Sequence, residues 1–180
     1  MQIIITGGSG FIGFHLARFH IQKGDTVYLF DNFSKQKGEI DQEFNDLLES
    51  SRVNFYNFDM TLPFSSCHKL DTLPSEFDLV YHLAAINGTR LFYEIPYKLA
   101  RTNLLLTLNL LDWLETIKIN RLVYSSSSEV YAGAEFLGKL EIPTKEDVPV
   151  VFPQPTNSRF SYGTTKFMGE FLCMNFGEKN

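Results

Sequence analysis

Few features of this sequence point to a membrane, a disulfide scaffold or a nucleic acid. Only two of its 180 residues are cysteine. Cys67 and Cys173 have no CxxC partner and no metal-ligand spacing, so they read as isolated thiols in a reducing compartment, and no metal site is expected. No apolar run approaches the ~20 residues of a membrane-spanning helix. No basic stretch precedes Ile3-Ile4-Ile5, as a secretory leader would require. The expectation is a cytoplasmic protein with no membrane partner. Basic residues are the minority, 16 Lys and Arg against 21 Asp and Glu. They form no patch, and phosphate neutralisation needs grouped cations, so nucleic acid is not an expected partner. Internal repeats and low-complexity linkers are also lacking.

What is present is an ordinary globular composition, 44% hydrophobic and 21% charged, at a length that suits one domain over residues 1–180. Short β-branched runs alternate with helical stretches. Ile3 to Thr6 reads as a strand, Ile12 to Lys23 as a helix closed by Gly24, and Thr26 to Phe30 as a second strand ending at Asp31. Val53 to Phe58, Leu79 to Leu83 and Arg121 to Ser125 read as three further strands. Tyr97 to Ile117 and Phe160 to Phe176 read as helices, and the proline-rich stretch 132–160 as a long loop. Strand and helix in alternation predict a doubly wound α/β domain of Rossmann type, with a mostly parallel sheet.

Glycines at 7, 10 and 13 form Gly-x-x-Gly-x-x-Gly directly after the first strand and at the opening of the first helix. That placement suits a dinucleotide pyrophosphate. Phosphate must approach backbone N–H groups at a helix N-terminus, and side chains in the turn would block it. Asp31 ends the second strand, where a carboxylate can accept hydrogen bonds from the adenosine ribose hydroxyls and would repel a 2′-phosphate. NAD is therefore the expected cofactor. Asn32 and Ser34 follow in the same turn and can add polar contacts, and Asp59, after the third strand, is placed for the adenine edge. Leu83-Ala84-Ala85 supplies small residues where the fourth strand ends, on the edge at which open α/β sheets bind ligands. His82 reads as strand core rather than as a catalytic group.

Tyr162 and Lys166 form Tyr-x-x-x-Lys. On a helix, residues four apart share a face, so the ammonium lies near the phenol and favours its ionised form. Tyr162 then reads as a general base. The run Ser125-Ser126-Ser127-Ser128-Glu129-Val130-Tyr131 ends the fifth strand, and a serine there can bond a substrate oxygen.

Together the segments TGGSGFIG, Asp31-Asn32, HLAA at 82–85, SSSSEVY and YGTTK with Gly169-Glu170 make the chain resemble the extended short-chain dehydrogenases, the NAD-dependent epimerase/dehydratase family. The resemblance runs from Ile3 to about Phe176. It implies Ser127, three residues before Val130, as the hydroxyl of a Ser/Tyr/Lys set with Tyr162 and Lys166. It implies cofactor contacts from Phe11, Ile12, Met60 and Asn103, besides those named above and the Tyr/Lys pair. It makes Glu129 a candidate second acid/base of the dehydratase or decarboxylase kind. It implies a nucleotide-sugar substrate oxidised transiently at C4, and a homodimer built on helices 97–117 and 160–176. Leu106 stands where relatives carry glycine. The family chain also continues beyond the lysine into further strands and a C-terminal substrate domain, so this chain is expected to stop short of one. The alternative is a protein that binds NAD as a ligand without chemistry, or an inactive fragment of such an enzyme.

Overall fold

The structure is a computed structural model that describes residues 1–35, 38 and 40–178. Five parallel strands form the main sheet: β1 (Gln2–Thr6), β2 (Thr26–Asp31), β3 (Val53–Asn57), and two strands that follow a short β4 (Glu76–Phe77), namely β5 (Leu79–His82) and, after β6 (Lys118–Ile119), β7 (Leu122–Tyr124). Their order is β3-β2-β1-β5-β7, so chain direction across the sheet reverses at β1. β1 pairs with β2 on one side, Ile4 opposite Tyr28, and with β5 on the other, Ile4 opposite Val80. The doubly wound parallel sheet expected from the alternation is present. β4 and β6 form a separate parallel pair.

The chain divides into two compact units, Met1–Ala85 with Leu105–Ser125, and Ile86–Leu104 with the segment from Ser126 onward. The first unit is the sheet and its covers. Ile3, Ile4 and Ile5 are all fully buried, so β1 is covered on both faces, as a central parallel strand must be. One face packs Ile3, Ile5, Val27 and Leu29 against Ala17 of α1 (Phe11–Gln22) and Phe44 and Leu47 of α2 (Gln42–Leu48). The other face is aromatic: Phe30 stacks on Tyr56 at 5.0 Å and meets Trp113 at 5.8 Å, while Tyr28 meets Phe77 edge-on at 5.1 Å.

Trp113 belongs to α4 (Pro96–Leu114), which follows α3 (Thr89–Glu94). The helix expected over 97–117 is α4, which starts at Pro96 and ends at Leu114; α3 before it was not expected, and the chain breaks between them at Ile95. A residue before proline is pushed out of the α region, and Ile95 has φ −138° and ψ 47°. Proline then suits the first helical position, where its missing N–H costs nothing. The dense leucines of α4 are mostly used inside the chain. Leu99, Leu110 and Leu114 are buried, whereas Leu108 is exposed.

In the second unit, Phe92, Leu99 and Tyr162 form a small core with Ile86 and Leu91. The stretch expected as loop contains α5 (Ala132–Phe136), and α6 (Ser161–Gly177) closes the described chain. Gly133 of α5 lies so close to the Val151 carbonyl that no side chain would fit, which pins the long segment back on itself. Among the described residues no helix is long and apolar enough to cross a membrane.

Candidate functional site

The first unit places its sequence-marked residues at the C-terminal end of the sheet. Thr6, the last residue of β1, is buried. Its hydroxyl oxygen accepts from the amides of Leu83 and Ala84, both at 3.1 Å, and bonds His82 Nδ1 at 2.8 Å. His82 Nε2 meets Thr107 Oγ1 at 3.1 Å. His82 is thus a structural cross-tie, as its strand position suggested. The Thr6 hydroxyl fixes the Leu83-Ala84 backbone against the glycine turn. Gly7 has φ +72°, and a Cβ on it would come within 2.9 Å of Ala84 N. Gly13 is tighter still, because a Cβ there would sit 2.3 Å from Gly7 O. The glycines permit a turn folded onto both the strand end and the helix start. Gly10 is the residue before α1, exposed and without a side-chain cap, while Phe11 and Ile12 stand exposed in the first turn. The first amides of a helix lack intrahelical partners, so this end can receive an anion.

Asp31 closes the turn from the side of β2. Its Oδ2 accepts from Ser9 N at 3.1 Å and its Oδ1 from Phe33 N at 2.8 Å. Each carboxylate oxygen has a second lone pair, so a ribose diol could still donate to it. Asn32 Oδ1 accepts from Ser34 N at 3.0 Å, and both residues are exposed. Asp59 is exposed and accepts from Thr61 N and Oγ1, at 2.9 and 2.8 Å. Met60 is buried, and its carbonyl accepts from Asn109 Nδ2 at 2.9 Å. Leu83, Ala84 and Ala85 are half-buried, with Leu83 and Ala84 lying against the glycine turn. These residues fit the adenosine and pyrophosphate of a dinucleotide. The turn has no room for a Cβ at Gly7 or Gly13, and a carboxylate stands beside it.

The second unit carries Asn103, Ser127, Glu129, Tyr162 and Lys166. Asn103 is buried and grips one residue: its Oδ1 accepts from Ile86 N at 2.7 Å and its Nδ2 donates to Ile86 O at 3.0 Å. It therefore fixes the backbone just after the Leu83-Ala84-Ala85 run. Ser127 caps the 3-10 turn Ser128–Tyr131, its Oγ accepting from Glu129 N at 3.2 Å. Tyr162 and Lys166, both buried, lie one turn apart on α6, with Lys166 Nζ 5.7 Å from the centre of the Tyr162 ring. Phe92 stacks on that ring at 5.1 Å with planes 12° apart. Burial, and secondarily the Glu129 carboxylate, hold the phenol above its ordinary value. Lys166 alone does not reverse that direction, which differs from the expectation drawn from the spacing. The i, i+4 rule shows the cation but not the desolvation of the ring or the anion across from it.

Three contacts in this unit involve residues with no site role expected from the sequence. Arg159 Nη1 donates to Glu129 Oε2, and that pairing raises the guanidinium pKa. Gly163, next to Tyr162, approaches the Glu129 carbonyl so closely that a Cβ would lie 2.3 Å from it. Ser126 Oγ donates to Glu170 Oε1, tying the serine run to α6. The available signal was the short distance in sequence from Arg159, Gly163 and Glu170 to the Tyr-x-x-x-Lys pair. A groove of about 470 Å³ runs past Pro96, Leu104, Phe152 and Met168, and Ser127, Tyr162 and Lys166 do not line it.

The fold and the glycine turn define a dinucleotide-binding α/β protein, and the buried Tyr/Lys pair on α6 places it among short-chain dehydrogenase-like chains. The model of the NAD dependent epimerase/dehydratase family matches residues 3–180, and the chain belongs to that family, whose cofactor is NAD. It is 32% identical over 175 residues to a UDP-N-acetyl-alpha-D-glucosaminuronate decarboxylase of Bacillus cytotoxicus, a match that covers 97% of this chain and 50% of that protein. It is 29% identical to a UDP-glucose 4-epimerase of Yersinia enterocolitica, covering 98% of this chain and 48% of the relative. Among solved structures, a UDP-glucuronic acid 4-epimerase from Bacillus cereus, in complex with UDP-glucuronic acid and NAD, matches with a TM-score of 0.76 at 28% identity, covering 99% of this chain and 52% of that one. The chain thus spans about half the length of these relatives.

Proposed function

We propose that the protein serves the NAD-dependent remodelling of a nucleotide sugar through transient oxidation at sugar C4. The observation that carries this reading is the buried Tyr162–Lys166 pair on one face of α6, in a chain that also carries the Gly7–Gly13 turn and Asp31. Relatives named as nucleotide-sugar decarboxylases and epimerases support the substrate class.

Tyr162, ionised, takes the proton of the C4 hydroxyl. Lys166 supplies the positive charge beside the phenolate and bonds the nicotinamide ribose. Ser127 orients the hydroxyl through its Oγ. Bound NAD would supply the acceptor, and later the donor, of the C4 hydride. The resulting 4-keto sugar acidifies the neighbouring C–H or destabilises a carboxylate at C6. Glu129 is the acid/base group for that later step. The net reaction is then epimerisation, dehydration or decarboxylation. The intact Tyr162 and Lys166 set this reading apart from a protein that only binds NAD.

Turnover of a panel of nucleotide sugars by the protein, followed by product analysis, is the test. Tyr162→Phe keeps the ring and its stack on Phe92, so it should abolish turnover and leave NADH bound. Wild-type turnover by that variant would overturn the mechanism. The same reading includes a two-fold homodimer, because α6 exposes Phe171 at 55% and Met174 at 72% on one side. Leu110 lies in the core, so Phe171→Glu rather than a change at Leu110 probes the contact by sedimentation. A monomeric wild-type protein at micromolar concentration would refute the dimer.

A further inference from the structure

Deprotonating Tyr162 places a second anion in a neighbourhood that already holds Glu129. The groups that face this neighbourhood come from five elements. Glu129 lies on the turn that packs against Gly163 of α6, Lys166 lies one helical turn along from Tyr162, and Arg159 precedes α6. Tyr93 of α3 and Glu135 of α5 face Arg159. Glu129 is the carboxylate that acts on Tyr162, and Arg159 is the cation bonded to it; without Arg159 the phenolate would form beside a carboxylate that has lost this ion pair.

The Arg159–Glu129 pair is built, not incidental. Arg159 sits in the 3-10 turn Ser158–Phe160, whose entry is capped by Asn157 Oδ1 accepting from Arg159 N at 3.0 Å. Glu129 is held from the other side by the hydrogen bond of its amide to Ser127 Oγ, at 3.2 Å. The two side chains are only 30% and 27% exposed, so their charges are screened less than those of a surface pair.

We propose that Arg159 is a positioning residue for the general base: by pairing with Glu129 it offsets the anion beside Tyr162, so that the phenol can release its proton next to a paired carboxylate. The inference rests on Tyr162 being the base. It is supported by Glu129 acting to hold the phenol in its protonated form. Arg159 does not act on the substrate in this scheme.

The test is a pH titration of Tyr162 in the protein labelled with 3-fluorotyrosine, read by fluorine NMR. Fluorination lowers phenol midpoints into a range where the fold persists, and the resonance lost in Tyr162→Phe identifies the residue. Arg159→Gln should raise the midpoint by on the order of half to one pH unit. Glu129→Gln should lower it, and the double variant should return it close to wild type. Arg159→Lys, which keeps the charge but not the planar fork, should recover most of the shift. A midpoint unmoved by Arg159→Gln, or a double variant displaced as far as Arg159→Gln alone, would overturn the proposal. So would Arg159→Lys behaving like Arg159→Gln, which would mark a packing role. The readout needs no turnover. Active Tyr162→Phe protein would therefore refute the catalytic reading while this charge pattern was judged separately.

Discussion

Adding one methyl group at Gly13 should cost the protein its cofactor. In the first turn of α1, a Cβ at this position would lie 2.3 Å from Gly7 O and 2.9 Å from Gly8 Cα, whereas ordinary contact begins near 3.4 Å. Relief requires the helix start and the glycine turn to separate by about an ångström. The turn has nowhere to go. A Cβ at Gly7 would already be 2.9 Å from the Ala84 amide, and one at Gly8 would be 2.9 Å from Leu29 Cβ. Overpacking of this kind costs roughly 1–3 kcal/mol of stability, or a fall in Tm of roughly 2–4 °C per kcal/mol for a chain of this size. The larger effect falls on binding, because the amides at the start of α1 must all point at the pyrophosphate. NADH affinity should drop at least tenfold, about 1.4 kcal/mol, measured by calorimetric titration beside a thermal melt. Gly177→Ala is the control: nothing lies within 4 Å of a Cβ there, so it should leave NADH affinity unchanged and not lower the melting temperature. If Gly13→Ala binds NADH within twofold of wild type, close packing of the turn is not what shapes the phosphate site.

Because Asp31 is already tied to Ser9 N and Phe33 N, its charge is fixed beside the turn. NADH should bind at least tenfold tighter than NADPH, and Asp31→Asn should narrow that ratio; equal affinities in the wild type would refute the role. Glu129→Gln should spare a simple 4-epimerase, but stall a dehydratase or decarboxylase at the keto sugar, detectable by borohydride trapping. Burial pushes the Cys173 thiol up to about 11, against the opposing charge of Lys166. At pH 8 about one thiol in a thousand is then ionised. Alkylation of Cys173, followed by mass spectrometry, should rise about tenfold per pH unit between 8 and 10, and a flat profile would refute the shift. The sign for stability follows: a thiol protonated more tightly in the folded state stabilises the fold below pH 9, and that contribution is lost as pH rises through 11.

The sheet was legible because its signals are local. Ile3-Ile4-Ile5 followed at once by glycine can hardly be anything but a buried parallel strand running into a phosphate turn. Val27, Leu29 and Phe30 repeat the pattern up to Asp31. What stayed hidden depends on few residues or distant ones. β4 and β6 are two residues each, too short for any periodicity to appear. α2 rests on an Asp41 cap, with Oδ1 accepting from Glu43 N at 2.8 Å, and on two buried residues, Phe44 and Leu47. α5 exists because Gly133 lets the chain fold onto Val151, a contact between residues far apart in the sequence. α3 has only six residues, too few for a helical period to show before Pro96 ends it.

The site divides along the same line. Residue types that must be glycine, or must be an acid at a strand end, announce themselves, because one backbone or one hydrogen-bonding demand selects them. Residues that work through a partner do not. Glu129 alone can be a solvated surface acid, a structural ligand or a base. Only the structure shows Arg159 across from it and Gly163 pressed against its carbonyl. The direction of the Tyr162 pKa makes the same point. Spacing places Lys166 near the phenol and suggests a lowered value, yet burial and Glu129 dominate and raise it. A Tyr-x-x-x-Lys pair is therefore an incomplete base as it stands. Under the proposal above, its ionisation in this chain depends on a cation the motif does not contain, Arg159, which offsets Glu129.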